Sequence, residues 1–380
     1  MRTAGPGGPV APVLAVALCI HVPRTMGSKS ATTLRIVQGP LFRARLRVRR
    51  PFTQRFFPQW VTPMLNDNSI LVLGAGELGM AVLRSLSRRA RHADNASIAV
   101  LLRPSTIASD NPARQKDVAE LRDLGLDLVE GDLATQTRAE LAAILGRFDT
   151  VISCTGFVGG PGVQRKIAHA ALDARVKRYF PWQFGVDYDV IGKGSAQDLF
   201  DEQLDVRDLL RSQSRTEWVI ISTGMFTSFL FEKSFGVVDL ATNTVNALGS
   251  WSNAVTVTTA EDIATLTVEV LFAEPKISNR VVHIAGDTVT YREVADTVDR
   301  VLGVKVHRNE WTVPELKRQL AEEPQNGLRK YRVVFAQGRG VAWDVSETFN
   351  AKRGIRVCSL EEWVRNNLSG VPAASARPAG

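Results

Sequence analysis

The strongest constraint on the fold is a short apolar run, SILVL (69–73), that passes directly into GAGELG (74–79), where a helical pattern begins at Glu77 and runs to about His92. A strand that turns on glycines into a helix leaves the first amides of that helix without partners inside it. Gly74 permits the tight turn, Gly76 lets backbone approach a pyrophosphate, and Gly79 lets helix and strand pack closely. Together with Ala75, Glu77 and Leu78, these residues form a candidate dinucleotide cradle, in which exposed amides and the helix dipole favour phosphate charge. A plain strand-to-helix turn is the competing explanation, and the βαβ context favours the cradle.

The alternation continues down the chain. SIAVLL (97–102) is followed by the helical ARQKDVAELRDLG (113–125) and then LDLVEGD. RAELAAIL precedes DTVISC (149–154), a helix from Gly162 to Ala174 precedes VKRYF, and a helix near 198–213 leads into EWVIIST (217–223). Six short β-branched runs separated by helices imply an α/β fold, a doubly wound Rossmann parallel sheet with helices on both faces. After Thr223 the pattern is mixed: TVTT (256–259) and VVHIA (281–285) read as strands, with helices near 260–272 and 290–302 and a polar C-terminal part. The expected organisation is a cofactor domain over 67–223, a smaller mixed α/β substrate-side domain over 224–370, and a loose tail over 371–380.

Charge separates the beginning of the chain from the rest. The net charge is +8, yet residues 1–66 hold ten of the 47 Lys and Arg and none of the 39 acids, leaving 37 basic against 39 acidic residues beyond them. The body is therefore near neutral, and direct nucleic-acid binding is not expected. The basic leader fits three descriptions: an unstructured or misassigned extension with later starts at Met26 or Met64, a mitochondrial transit peptide, or a secretory signal around VAPVLAVALCI (10–20). No run of eighteen apolar residues follows, so no membrane span is expected. Cys19, Cys154 and Cys358 are too few and scattered for a disulfide framework, and no CxxC or HxxxH pair exists for a metal. A cytoplasmic location follows, or a mitochondrial one if the leader is a transit peptide.

The ends of the later strands carry the remaining cofactor signals. An NAD enzyme places an acid on the ribose 2'-hydroxyl after the second strand, but this sequence has LLRPST, with Arg103, Ser105 and Thr106. A guanidinium fork suits a 2'-phosphate that an acid would repel, so NADPH is the expected cofactor. Asp132 in EGD lies where the adenine side would sit, and it reads equally well as a helix cap. SCTG brings Ser153, Thr155 and Gly156 to the carboxyl edge of the fourth strand, with Cys154 as a small core residue. His92, His169 and His283 read as structural.

GAGELG, LLRPST, EGD, KRYFPWQFG (177–185) and FDEQLDVRDLL (200–210), in that order, resemble the isoflavone reductase-like branch of the NmrA-like family, among the atypical short-chain dehydrogenases/reductases. WQFGVDYDVIG (182–192), STGMF (222–226) and SFGVVDL (234–240) are most similar to fungal members. The resemblance spans roughly residues 68–370 and implies an NADPH-dependent reductase of an aromatic, phenolic or conjugated carbonyl-type small molecule; the sequence leaves monomer and homodimer equally open. It carries cofactor roles to Gly74, Gly76, Gly79, Arg103, Ser105 and Thr155, with Gln183 and Phe184 completing that set. It carries pocket roles to Phe184, Tyr188, Met225 and Phe226.

One position departs from the family pattern. Reductases of the family hold a Lys in F-x-D-K-x-x-V-R that bonds the nicotinamide ribose and assists proton transfer; FDEQLDVR has Gln203 there. Glutamine can hydrogen-bond the ribose but is no acid near neutral pH. Gln203 also falls with Leu199, Val206 and Leu210 on an apolar helix face, where a polar group wants a partner. Lys193 in the preceding loop is the alternative ammonium. Tyr188 forms no YxxxK pair, because Gly stands at 192. The departure keeps a second function open: a non-catalytic NADP(H)-binding regulator like the NmrA proteins, which would report redox state to a protein partner.

Overall fold

A computed structural model describes residues 69–93, 96–157 and 159–369; the leader over 1–66 and the tail over 371–380 lie outside these residues, as does the side chain of His92. The strands begin with β1 (Ser69–Leu73), β2 (Ser97–Leu102), β3 (Asp127–Glu130), β4 (Thr150–Ser153), β5 (Arg178–Phe180) and β6 (Glu217–Ser222). They continue with β7 (Met225–Phe226), β8 (Val238–Asp239), β9 (Thr244–Leu248), β10 (Ala254–Thr258), β11 (Arg280–His283), β12 (Asp287–Thr290) and β13 (His307–Trp311). The large sheet has seven parallel strands in the order β11-β6-β5-β4-β1-β2-β3, the doubly wound arrangement with one strand added beyond β6.

Burial on both faces explains why these strands read as continuous apolar runs. All five residues of β1 are buried: Ile70 and Val72 pack into one core, Leu71 and Leu73 into the other. Helices Glu77–Ala93, Pro112–Asp123 and Ala260–Leu271 supply the first core; Arg138–Leu145, Val163–Asp173 and Leu199–Arg211 mainly supply the second. At about 1.5–3 kcal/mol per fully buried aliphatic side chain, these two layers dominate the favourable side of folding. β3 closes one edge with exposed Asp127 and Glu130, charges that discourage a further strand from pairing there.

Helix ends follow the sequence closely. Asn111 caps the helix beginning at Pro112, Thr137 and Glu140 form a reciprocal capping box, and Thr290 with Glu293 forms another. The helix at Val163 begins after Gly162, which has φ +87° and no side chain to cap it. Glu202, from Leu199–Arg211, substitutes by accepting from Gly162 N (2.8 Å) and Arg165 N (3.0 Å), and so ties two helices together.

VVHIA was expected in the smaller C-terminal part, but its strand, β11, pairs with β6 and extends the large sheet. The remaining strands form two small sheets, β12-β10-β7 and β13-β9-β8. The polar C-terminal part contains further helices at Val313–Glu322, Gly327–Ala336 and Leu360–Leu368. Among the described residues, no helix is long and apolar enough to cross a membrane.

Candidate active site

The carboxyl ends of β1, β2 and β4 converge on the glycine turn. Gly74 N donates to Leu101 O (3.2 Å) and Cys154 N donates to Leu73 O (2.9 Å), fixing the turn to both neighbouring strands. Gly74 has φ +89°, which favours glycine. A Cβ on Gly79 would stand 2.2 Å from Gly74 O, so only glycine lets the helix start this close to the strand. At Gly76 a Cβ would meet nothing within 4 Å, leaving its backbone open.

That opening belongs to a cavity of about 540 Å³ lined by Gly74, Ala75, Gly76, Glu77 and Leu78 on one wall. Thr155 and Gly156 line it beside the turn, and Arg103, Thr106 and Asp132 line its outer end. Phe184, Tyr188, Met225 and Phe226 line the inner end with Trp182, and there Phe200, Phe229, Tyr331 and Phe335 complete an almost entirely apolar wall. Trp182 and Phe184 meet edge to face at 5.6 Å. Gly185 and Val186 line the cavity between Phe184 and Tyr188, and Gly224 lines it beside Met225.

Electrostatics divides the cavity. At the outer end Arg103 and Arg114 are exposed and form no ion pair among the described residues. With no acid at the end of β2, this pair suits a phosphate monoester on a nucleoside. Arg114 was absent from the sequence-derived set; its signal was a basic residue in the first turn of the Asn111-capped helix, eleven positions after Arg103. Beside the glycine turn, burial and the nearby Glu261 push the Glu77 carboxyl up to about 7. Burial pushes the Cys154 thiol far above its ordinary range, which makes it a core residue and not a nucleophile. Asp132 accepts from Ala134 N (2.9 Å) in a local turn, and the helix that follows is capped by Thr137, not by Asp132. The donor set, the open Gly76 backbone and the absence of an acid after β2 fit an NADP-type dinucleotide.

Several expected site residues do not line this cavity. Ser105 does not line the cavity, Ser153 is fully buried, and Gly79 acts through packing. Gln183 and Gln203 are also fully buried and absent from the lining. Gln183 Nε2 donates to Gln203 Oε1 (2.6 Å) and to Gln203 O (3.0 Å), while Gln183 Oε1 accepts from Arg207 Nε (3.0 Å). Arg207 is itself fully buried, held by Asp189 at 2.6 Å. Asp189 also pairs with Arg211, and the two guanidinia depress its carboxyl to about 2. Because a guanidinium only donates, Arg207 sets the direction of both amides, leaving Gln203 Nε2 buried without a partner.

Lys193 is not brought to the cavity. Its ammonium is half-exposed and paired with Asp205 (2.8 Å) and Asp208 (3.5 Å). His283 pairs with Asp187 at 3.1 Å and rests on Trp343, away from the lining.

Comparison with known proteins agrees with this architecture. The model of the NmrA-like family matches residues 66–353. An NmrA-like family domain-containing oxidoreductase of Gibberella moniliformis is 48% identical over 303 residues, covering 80% of this chain and 98% of the relative. A phenylcoumaran benzylic ether reductase of Populus trichocarpa is 26% identical, covering 72% and 86%. Among solved structures, an isoflavone reductase superposes with TM-score 0.63 at 21% identity, over 79% of this chain and 99% of the other. A leucoanthocyanidin reductase–NADPH complex from Vitis vinifera superposes with TM-score 0.64 at 19% identity, over the same shares. The matched span, the glycine turn and the seven-stranded sheet lead to one conclusion: this chain belongs to the NmrA-like family.

Proposed function

We propose that the protein is an NADPH-dependent oxidoreductase that delivers hydride to an aromatic or conjugated carbonyl-type small molecule. The observation that carries this reading is the continuity of one cavity, with Arg103 and Arg114 at its outer end, a glycine-lined middle and an aromatic inner end. NADPH, when bound, supplies the hydride. The chain's own residues do the rest: Arg103 and Arg114 take the 2'-phosphate, the Gly74–Gly79 turn takes the pyrophosphate, and Thr155 and Gly156 border the path inward. Gln164 steadies that border, because its Nε2 donates to Gly156 O at 2.5 Å. Phe184, Met225 and Phe226 exclude water and hold a flat substrate near the hydride donor, so proximity supplies much of the rate. Cys154 and Cys358 form no disulfide among the described residues, which suits a reducing compartment, and we assign the enzyme to the cytoplasm.

A second reading, an NADP(H)-binding regulator, is favoured by one fact. The family's lysine position holds Gln203, buried, tied to Gln183 and absent from the cavity lining. The discriminating experiment incubates the protein with NADPH deuterated at its transferable hydrogen, on each face in turn, and a small-molecule extract of the source organism. A deuterated product absent from the boiled control is expected; no product from protein that binds NADPH would support the regulator.

A further inference from the structure

We propose that Tyr188 and Tyr331 form a phenol pair that anchors the oxygen of an aromatic carbonyl substrate, with Tyr188 as the group that donates a proton to it. The inference rests on the reductase reading and names the donor that neither Gln203 nor Lys193 provides. Both tyrosines line the cavity, and neither hydroxyl has a hydrogen-bond partner among the described residues. They differ from Tyr179 and Tyr291, whose unpaired hydroxyls are sealed in the core outside the lining. A phenol opening onto an apolar cavity without a partner is a donor awaiting an acceptor.

Packing sets the two rings against a common neighbour. Phe200 meets Tyr188 edge to face at 4.9 Å and Tyr331 at 5.7 Å, and Phe229 meets Tyr331 at 6.1 Å. Burial keeps both phenols protonated, and a charge on Tyr188 further disfavours ionisation of Tyr331. Gly185 gives the Tyr188 hydroxyl its room: a Cβ there would stand 2.7 Å from the oxygen. The buried Arg207 guanidinium lies 5.1 Å from the Tyr188 ring centroid. Its charge favours the phenolate, opposing the effect of burial, and it is fixed by Asp189 and Gln183. Arg207 is thus a positioning residue for Tyr188.

The step balances. Hydride from NADPH forms a C–H bond at the carbonyl carbon as the C=O π pair moves onto oxygen. The Tyr188 O–H breaks, its proton joins that oxygen, NADP+ is left oxidised, and water reprotonates the tyrosinate. The transfer runs toward the stronger base, since an alkoxide exceeds a phenolate in basicity.

The probes are 9-fluorenone and fluorene, planar tricycles that differ by a carbonyl against a methylene, titrated into the full chain loaded with NADP+. Quenching of tryptophan fluorescence reads binding, and the infrared carbonyl stretch of bound fluorenone reads the hydrogen bond. Wild type is expected to bind fluorenone about tenfold more tightly than fluorene, with the stretch moved to lower wavenumber. Tyr188→Phe is expected to abolish both effects while fluorene binds as before, and Tyr331→Phe to reduce them. Tyr291→Phe, which removes a hydroxyl remote from the cavity, is expected to change neither. Equal affinity of wild type for the two probes, or an unshifted preference in Tyr188→Phe, would overturn the anchor. Failure of both probes to bind protein that holds NADP+ would instead overturn the aromatic-pocket reading and the anchor with it.

Discussion

Replacing Arg103 by Ala should cut a preference for NADPH over NADH of roughly a hundredfold to about tenfold, and removing Arg114 as well should abolish it. Arg103 and Arg114 stand at the outer end of the cavity without ion pairs to other described residues, so neither must abandon a partner to receive a phosphate. A hydrogen bond to a charged group contributes about 1.5–3 kcal/mol, and exposure of both side chains argues for the lower figure. About 1.5 kcal/mol corresponds to roughly a tenfold weaker NADPH affinity for Arg103→Ala, and the double variant with Arg114→Ala should lose about a hundredfold if the two act separately. NADH lacks the 2'-phosphate and should bind all three proteins alike. Calorimetric titration at two ionic strengths is the assay, because the wild-type preference should shrink with added salt whereas the double variant should show none to lose. Equal loss of NADPH and NADH affinity in Arg103→Ala would refute the assignment, since it would mean that the arginine shapes the loop and does not read the phosphate.

Four further outcomes are expected. Gly79→Ala should destabilise the chain by roughly 1–3 kcal/mol and weaken NADPH binding, measured by urea unfolding and calorimetry, because its Cβ would meet Gly74 O at 2.2 Å. The Glu77 carboxyl is raised from 4.5 to about 7, so its contribution to stability is fully present below pH 4.5 and is lost as pH rises toward 7; Glu77→Gln should flatten that decline in unfolding midpoints between pH 5 and 8. Arg207→Leu should cost about 3 kcal/mol in chemical denaturation, because Gln183 Oε1 loses its donor and Asp189 keeps only Arg211. Gln203→Lys should lower the thermal midpoint, because an ammonium in this fully buried position would face the Gln183 amide donor; an unchanged midpoint would contradict the polarity that Arg207 imposes.

The sheet and the cofactor turn were legible because their signals are local. SILVL next to GAGELG specifies its own turn, and the helix ends at Pro112 and Arg138 carry their caps in sequence. The position of β11 was not legible, since an apolar strand looks the same in either sheet and only its pairing with β6 assigns it. Tyr331 and Phe335 were missed for a related reason: Gly327–Ala336 mixes Arg and Lys with its aromatics, and its buried side shows only once Phe200 and Phe229 face it. Gln203 was recognised as a polar residue needing a partner, but Gln183 lies 20 positions away and Arg207 is one turn further along the same helix. No periodicity joins residues 183, 203 and 207 into one chain of donors and acceptors; a shared burial does.

The return of the chain to β11 has a consequence for modularity. After β6 the polypeptide leaves the large sheet, builds β7 through β10, comes back as β11 and leaves again for β12 and β13. Helix Ala260–Leu271, formed on that excursion, covers the same sheet face as Glu77–Ala93. The large sheet and the two small sheets are therefore interleaved along the chain and not strung end to end. A fragment cut after Ser222 would lose a strand and a covering helix, exposing the ladder of β6 and an apolar face to other molecules. Exchanging everything after Ser222 between relatives would therefore replace a strand of the large sheet together with the small sheets, so such a swap has to rebuild the β6–β11 pairing as well.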